Sequence, residues 1–133
     1  MSTARREHGP VADGFRIREL PDGGSEFVLE DPSLSCIRID HVSTLQFGPT
    51  DLVIRAPFSL TIGGTIHQLD PRHRDGLGPL LALFPATVHW LWTTVRGELT
   101  AAFRGGPTVT VTPDPIARAW AVGNVYCLPS GPI

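Results

Sequence analysis

The chain contains no lysine, and its basic residues are all arginine. The 11 arginines are scattered along the sequence and are balanced by 13 acidic residues, which gives a net charge of -2. A nucleic-acid-binding protein usually concentrates basic residues on one face, because neutralising phosphates supplies most of its affinity. The charge pattern therefore argues against a nucleic-acid partner.

Cysteine and long apolar runs are also scarce. The only two cysteines among 133 residues are Cys36 and Cys127, and neither belongs to a CxxC pair. No run approaches the roughly 18 apolar residues that a membrane-spanning helix requires, and no secretory signal is recognisable. We therefore expect a cytoplasmic protein with reduced thiols and no membrane association.

Glycine and proline are abundant, with 14 and 13 residues, and they separate many short apolar segments. Such spacing is typical of short strands joined by tight turns. The sequence predicts a mainly β (α+β) fold, in which antiparallel meander sheets of short strands carry one short helix packed across them. Residues 1–14 lack apolar periodicity and are predicted to form a disordered leader. Residues 15–133 are predicted to form a single mainly-β domain.

The predicted strands follow one another closely. Alternating residues predict a first hairpin from Phe15–Leu20 and Glu26–Glu30. A four-stranded meander is expected next, from Cys36–Phe47, Leu52–Ala56, Phe58–Ile62 and Thr65–Leu69. Thr87–Val95 is apolar on both faces and is expected to be a central strand. Gly97–Phe103 and Pro107–Pro113 predict a further hairpin.

A short helix is expected between these two groups of strands. Asp70 followed by Pro71 is typical of a helix start, with a carboxylate cap and a proline in the first turn. The residues spaced to share one helix face are Leu77, Leu80, Leu81 and Phe84.

The tryptophans are the first candidate binding residues. Trp90 and Trp92 alternate along one predicted strand, which places His89 on the opposite face. Large aromatic residues at this spacing are usually core residues, and we expect these two to be core. An exposed cluster would instead mark a protein contact or a ligand platform. The binding candidates are therefore Trp90, Trp92, His89 and Trp120.

A weak metal-site candidate consists of His67, Asp70 and His73. Zinc requires three or four converging ligands, and no fourth ligand is spaced nearby. We expect Asp70 to cap the helix instead, so neither a metal nor another cofactor is predicted.

A second polar group is Asp40-His41, with Ser43 two residues later. Adjacent residues of a straight strand point to opposite faces, so Asp40 and His41 are not expected to act on one substrate. No catalytic residue is predicted from this group.

Several short motifs follow one another in an order that is similar to a family of short bacterial domains of unknown function, numbered 6188. These motifs are Ile54–Leu60, Leu69–Pro71, Leu80–Leu83, Thr87-Val88, Gly97–Leu99, Phe103 and Pro113–Trp120. The resemblance extends over roughly Ile37 to Leu128. It supports the predicted fold and implies no established activity.

The absence of a recognisable catalytic motif and the many strand edges favour a non-catalytic protein-binding module. One form of this hypothesis is an immunity- or antitoxin-like protein, and another is a homodimer formed through strand edges. The alternative is a small-ligand-binding protein or an enzyme with histidines in a pocket between sheet and helix. The histidines available to it are His41, His67, His73 and His89.

Overall fold

The computed structural model describes residues 4–6, 14–116 and 118–129. The strands are β1 (Ala4–Arg6), β2 (Phe15–Glu19), β3 (Ser25–Leu29), β4 (Leu34–Ile39), β5 (Ser43–Phe47), β6 (Thr50–Ile54), β7 (Phe58–Ile62), β8 (Thr65–Leu69), β9 (Val88–Thr93), β10 (Leu99–Phe103), β11 (Thr108–Val111), β12 (Trp120–Val122) and β13 (Val125–Cys127). Two short 3-10 helices complete the described part, η1 (Arg74–Gly76) and η2 (Gly78–Leu83). The prediction of a mainly β fold is confirmed.

The described strands form two antiparallel sheets. Sheet A has the strand order β1-β13-β12-β6-β5-β4, and sheet B has the order β2-β3-β9-β10-β11-β7-β8. Strand β9 is third in sheet B, so the prediction that this strand lies inside a sheet is confirmed. The predicted hairpins β2/β3 and β10/β11 are both present.

The predicted four-stranded meander is wrong in two respects. The segment Cys36–Phe47 is a hairpin, because the Asp40 carboxylate accepts a hydrogen bond of 2.9 Å from the Val42 amide and closes a turn. Strands β4 to β6 then pair within sheet A, whereas β7 and β8 belong to sheet B. The chain crosses between the sheets at Arg55–Pro57, where the Arg55 amide bonds to the Ala119 carbonyl.

The β7/β8 hairpin depends on two glycines. Ile62 pairs directly with Thr65, so the loop consists of Gly63 and Gly64 alone. Their φ angles are 56° and 82°, which is the backbone of a type I′ turn. Such a turn fixes the hydrogen-bonding register of the hairpin from its first residue pair.

One apolar cluster joins the two sheets face to face. Phe47 of sheet A lies 6.1 Å from Phe103 of sheet B between ring centroids. Trp120 of sheet A packs edge-on against Phe27, and its indole Nε1 donates a 2.8 Å hydrogen bond to the Gly97 carbonyl. The fold is therefore a β-sandwich, with its core between the sheets.

The predicted amphipathic helix is replaced by η1 and η2. In η2 and just before it, Leu77, Leu80 and Leu83 are buried, whereas Leu81 and Phe84 are exposed. A spacing of three is the period of a 3-10 helix, so the leucines at that spacing share one face. Two glycines and a proline in this segment disfavour a longer α-helix.

The N-terminal segment is described only at Ala4–Arg6. These residues form β1, which pairs with β13 at the edge of sheet A, where the sequence predicts an unpatterned leader. The rest of the predicted leader up to residue 13 lies outside the described residues, and the predicted domain boundary stays a prediction. No helix in the described segments is long and apolar enough to cross a bilayer.

The two thiols are widely separated. Cys36 lies in β4 and Cys127 in β13, with three strands of sheet A between them. Four strand spacings amount to about 19 Å, which is too far for a disulfide. Neither cysteine forms a disulfide.

Candidate functional site

The binding candidates on β9 are arranged by a β-bulge. Trp90 pairs with Ala102 of β10, but the next pair is Val88 with Phe103. His89 is therefore an extra residue that has no paired residue on β10. A bulge of this kind bends the strand and changes the face that the following side chains occupy.

The bulge overturns the predicted division of β9 into two faces. Val88 and Leu91 are both buried and face the core. His89 and Trp90 are both exposed, and Trp92 is half-buried. The residues predicted on opposite sides of the strand thus share the outer side of sheet B. We call Trp90, Trp92 and His89 together the tryptophan face.

The prediction that Trp90 and Trp92 are core residues is wrong. Their rings stack on each other with centroids 4.2 Å apart and planes inclined by 30°. Trp90 retains 41% of its accessible surface. Trp120, also a binding candidate, is completely buried, so it is a core residue and does not belong to the tryptophan face.

Small and hydroxyl-bearing residues flank the tryptophan pair on one side, towards β10, β11 and β7, on the outer side of sheet B. Trp92 lies between Glu26 of β3 and Thr100 of β10, and Trp90 lies opposite Ala102. The row of Trp90 continues across β11 and β7 as Thr108 and Thr61, and the row of Trp92 continues as Thr110 and Ser59. Because the side chains on β10, β11 and β7 are short, the two indoles project above them.

A gap in sheet B opens beside the tryptophan pair. The pairing of β3 with β9 ends at Glu26 and Trp92. Further along, the Val88 amide instead bonds to the Pro32 carbonyl. A cavity of about 210 Å³ lies in this gap, and its polar lining comes from Glu26, His89 and Arg104. The Glu26 carboxylate also accepts a 2.8 Å hydrogen bond from Arg18 Nε.

The metal candidate His67, Asp70 and His73 is not assembled. Both carboxylate oxygens of Asp70 accept hydrogen bonds from the Arg72 side chain, at 3.0 and 2.9 Å. This guanidinium lowers the pKa of Asp70 from 3.8 to about 2. His73 Nδ1 lies 3.4 Å from the same carboxylate, whereas His67 lies in β8 opposite Leu60.

The predicted role of Asp70 as a helix cap is wrong. Its Oδ1 accepts a 3.0 Å hydrogen bond from the Arg72 amide, two residues later, which closes an Asx turn. The next helix begins only at Arg74, so no helix starts at Pro71. Among the described residues, no group of three or more His, Cys, Asp or Glu side chains could hold a metal ion.

Asp40 and His41 occupy the exposed tip of the β4/β5 hairpin, with His41 Nδ1 3.6 Å from Asp40 Oδ1. The bond from the Val42 amide lowers the pKa of Asp40. A cleft of about 390 Å³ separates this tip from Arg72 and Arg74. Ser43 is buried in the core, so it is not available as a nucleophile beside His41.

The four histidines of the alternative hypothesis lie in different places. His41 lines the cleft at the hairpin tip, and His89 lines the cavity in sheet B. His67 is on β8, and His73 precedes η1. Neither of these two cavities has a second histidine in its lining.

The model of the family of unknown function DUF6188 matches residues 26–133. The chain belongs to this family. The matched span contains the tryptophan face and the cavity in sheet B, and it begins within β3. No curated protein and no solved structure matches the chain. The family description names no activity.

Two charged residues of the cavity, Glu26 and Arg104, were not among the sequence candidates. Neither belongs to a motif, and they lie far apart in sequence, on β3 and after β10. Only the pairing of β3 with β9, and the bond from the Arg104 amide to the Thr87 carbonyl, bring them to one gap.

Proposed function

We propose that this protein is a non-catalytic protein-binding module that contacts its partner through the tryptophan face. The observation that carries the proposal is the stacked pair of Trp90 and Trp92 on the outside of sheet B, with Trp90 41% exposed. Tryptophan is enriched among the residues that dominate binding energy, because one side chain buries a large apolar area. A stacked pair is also held in place before binding, which lowers the entropy lost on association.

The residues around the pair support a protein partner. On the side of β10, β11 and β7, the strand residues that continue the rows of Trp90 and Trp92 on the outer face are threonine, serine and alanine. Interface centres are depleted of charged residues, and polar groups concentrate at the rim. Glu26 and Arg18, which pair with each other next to Trp92, fit such a rim.

The biological role that we favour for the partner contact is immunity- or antitoxin-like, in which the domain masks a toxic protein. Its support is the slightly acidic balance of the chain and the exposed tryptophan pair, which offers a protein contact. In that case, coexpression of the captured partner without this domain should slow growth, and coexpression with it should restore growth.

The decisive experiment is cross-linking and affinity capture from the native host with matched surface variants. Trp90→Ser and Trp92→Ser should lose a partner that the wild type retains. Ile116→Ser is the control, because Ile116 is 83% exposed and lies outside sheet B. Retention of every partner by both tryptophan variants, or equal loss with Ile116→Ser, would overturn the proposal.

A small ligand is the second candidate, and the cavity beside Trp90 is the observation that favours it. Its lining combines a carboxylate, an imidazole, a guanidinium and an indole, which suits a compact molecule with an acidic group. Titration with small carboxylates and phosphate esters should change the tryptophan emission. Arg104→Ala should abolish this change, whereas Arg74→Ala, outside the cavity, should preserve it.

A further inference from the structure

The described sheets have four edge strands, and one of them lacks the usual protection. An unprotected strand edge invites pairing with another chain, and proteins block it with charges, prolines or bulges. Strand β2 carries Arg16 and Arg18, β4 carries Arg38 and a bulge, and β1 contains two arginines. Strand β8 has the sequence TIHQL, with no acidic residue, arginine, proline or bulge, and its Ile66 is 64% exposed.

The backbone of β8 presents a row of free hydrogen-bonding groups at this edge. The type I′ turn makes Ile62 and Thr65 a hydrogen-bonded pair, and such pairs alternate along an antiparallel ladder. His67 therefore bonds to Leu60 of β7. The N–H and C=O groups of Ile66 and Gln68 point away from β7, and within the described residues β8 pairs with β7 alone.

We propose that β8 pairs antiparallel with β8 of a second copy of this chain, about a two-fold axis that passes beside His67. In this register Ile66 of each copy faces Gln68 of the other, so the free groups of both residues form four hydrogen bonds. His67 faces His67 of the second copy as a non-hydrogen-bonded pair. The register uses only residues of β8 and leaves both glycines of the turn outside the pairing.

The chemistry of β8 favours a second copy over an unrelated strand. In the two-fold register, no acidic residue or arginine of one copy meets one of the other, and Thr65 faces Leu69 on the inner side. The exposed Ile66 side chain packs against the aliphatic part of Gln68 on the outer side. The strand is thus complementary to itself, and a net charge of -2 opposes self-association only weakly.

The contact is small and separate from the tryptophan face. Five residues span about 17 Å, and their pairing buries less than the roughly 1,600 Å² of a standard interface, so we expect a weak dimer that depends on concentration. Strand β9 lies four strand spacings from β8 in sheet B. The dimer consequently presents two tryptophan faces, and it exists whether or not these bind a protein.

Sedimentation of the full chain over a wide concentration range is the first test. The wild type should shift from 14.4 kDa towards twice this mass as concentration rises. Ile66→Pro removes an amide that points away from β7, so it should leave a monomer at every concentration. Glu19→Pro is the matched control on β2, where the amide also points outwards, and it should still dimerise. A wild type that stays monomeric, or an Ile66→Pro variant that dimerises, would overturn the proposal.

A cysteine cross-link tests the register and does not depend on how the proline variant folds. In a Cys36→Ser background, His67→Cys should give a covalent dimer under mild oxidation, because the two Cα atoms of such a pair lie about 4.5 Å apart. Ile66→Cys in the same background should stay mostly monomeric, because its counterpart in the second copy is Gln68. Equal cross-linking at both positions, or none at position 67, would contradict the proposed register.

Discussion

At the scale of single residues, Trp90 and Trp120 place the same side chain in opposite environments. Trp120 is fully buried and bonds to the Gly97 carbonyl, so Trp120→Ala should lower the free energy of unfolding by roughly 3–5 kcal/mol. Trp90→Ala removes an exposed ring and one stacking contact, which should cost about 1 kcal/mol. Chemical denaturation of both variants beside the wild type measures the two costs. Equal costs would show that the tryptophan face is packed more tightly than its exposure indicates.

Asp70 is the residue from which we expect a pH-dependent contribution to stability. Its pKa falls from 3.8 to about 2 in the fold, because Arg72 bonds to the ionised carboxylate. Since the folded pKa is the lower one, the stabilisation is present above pH 3.8 and is lost as the pH falls towards about 2. The difference in unfolding free energy between the wild type and Asp70→Asn should therefore shrink across this window.

The Asp70 carboxyl can also be titrated directly by NMR. In the Arg72→Gln variant its pKa should return towards 3.8, because the guanidinium that stabilises the charge is gone. An unchanged low pKa in that variant would show that the backbone bond from residue 72 is sufficient by itself.

At the scale of elements, η2 makes a sharp distinction between adjacent leucines. Leu80 is fully buried, and Leu81 is 56% exposed. Leu80→Ala should therefore destabilise by about 2–5 kcal/mol, and Leu81→Ala by no more than about 0.5 kcal/mol. Thermal and chemical unfolding of the pair check this. Comparable losses would instead support the α-helical face that the sequence predicts, on which both leucines lie.

The elements show what sequence patterns can and cannot predict. Most strands were predictable, because alternation and turn residues are local signals. The sheet that each strand joins was not, since nothing between Ile54 and Phe58 specifies that the chain crosses to the other sheet. The leucine spacing of η2 contained the correct period of three, but Leu81 and Phe84 also fit an α-helical stripe.

The candidate site was predictable only as a set of residue types. The tryptophans and His89 were identified as binding candidates, yet their common face depends on the bulge at His89. A bulge adds one residue to one strand, and a strict alternation of period two assigns every residue beyond it to the wrong side. Trp120 was a candidate for the same reason, its residue type, but it is a core residue. Residue type does not distinguish the two cases, because burial depends on packing between the two sheets.

At the scale of the whole molecule, the two cysteine thiols should become accessible to reagents by different processes. Cys36 is half-buried in an edge strand, and Cys127 is completely buried. A thiol reagent should therefore modify Cys36 in the native protein, and Cys127 only at the rate at which the sandwich opens. The Cys36→Ser variant isolates the slow reaction. Rapid modification of both thiols without denaturant would show that β13 separates from sheet A locally.

The bond between the Trp120 indole and Gly97 also has a spectroscopic consequence. Gly97 belongs to the turn between β9 and β10 of sheet B, whereas Trp120 begins β12 of sheet A. A variant that carries phenylalanine at positions 90 and 92 retains this indole as its only strong fluorophore. Its emission should be blue-shifted while the sheets are in contact and should move to the red when water reaches the indole. The protein thus contains an intrinsic optical probe of the separation of its two layers.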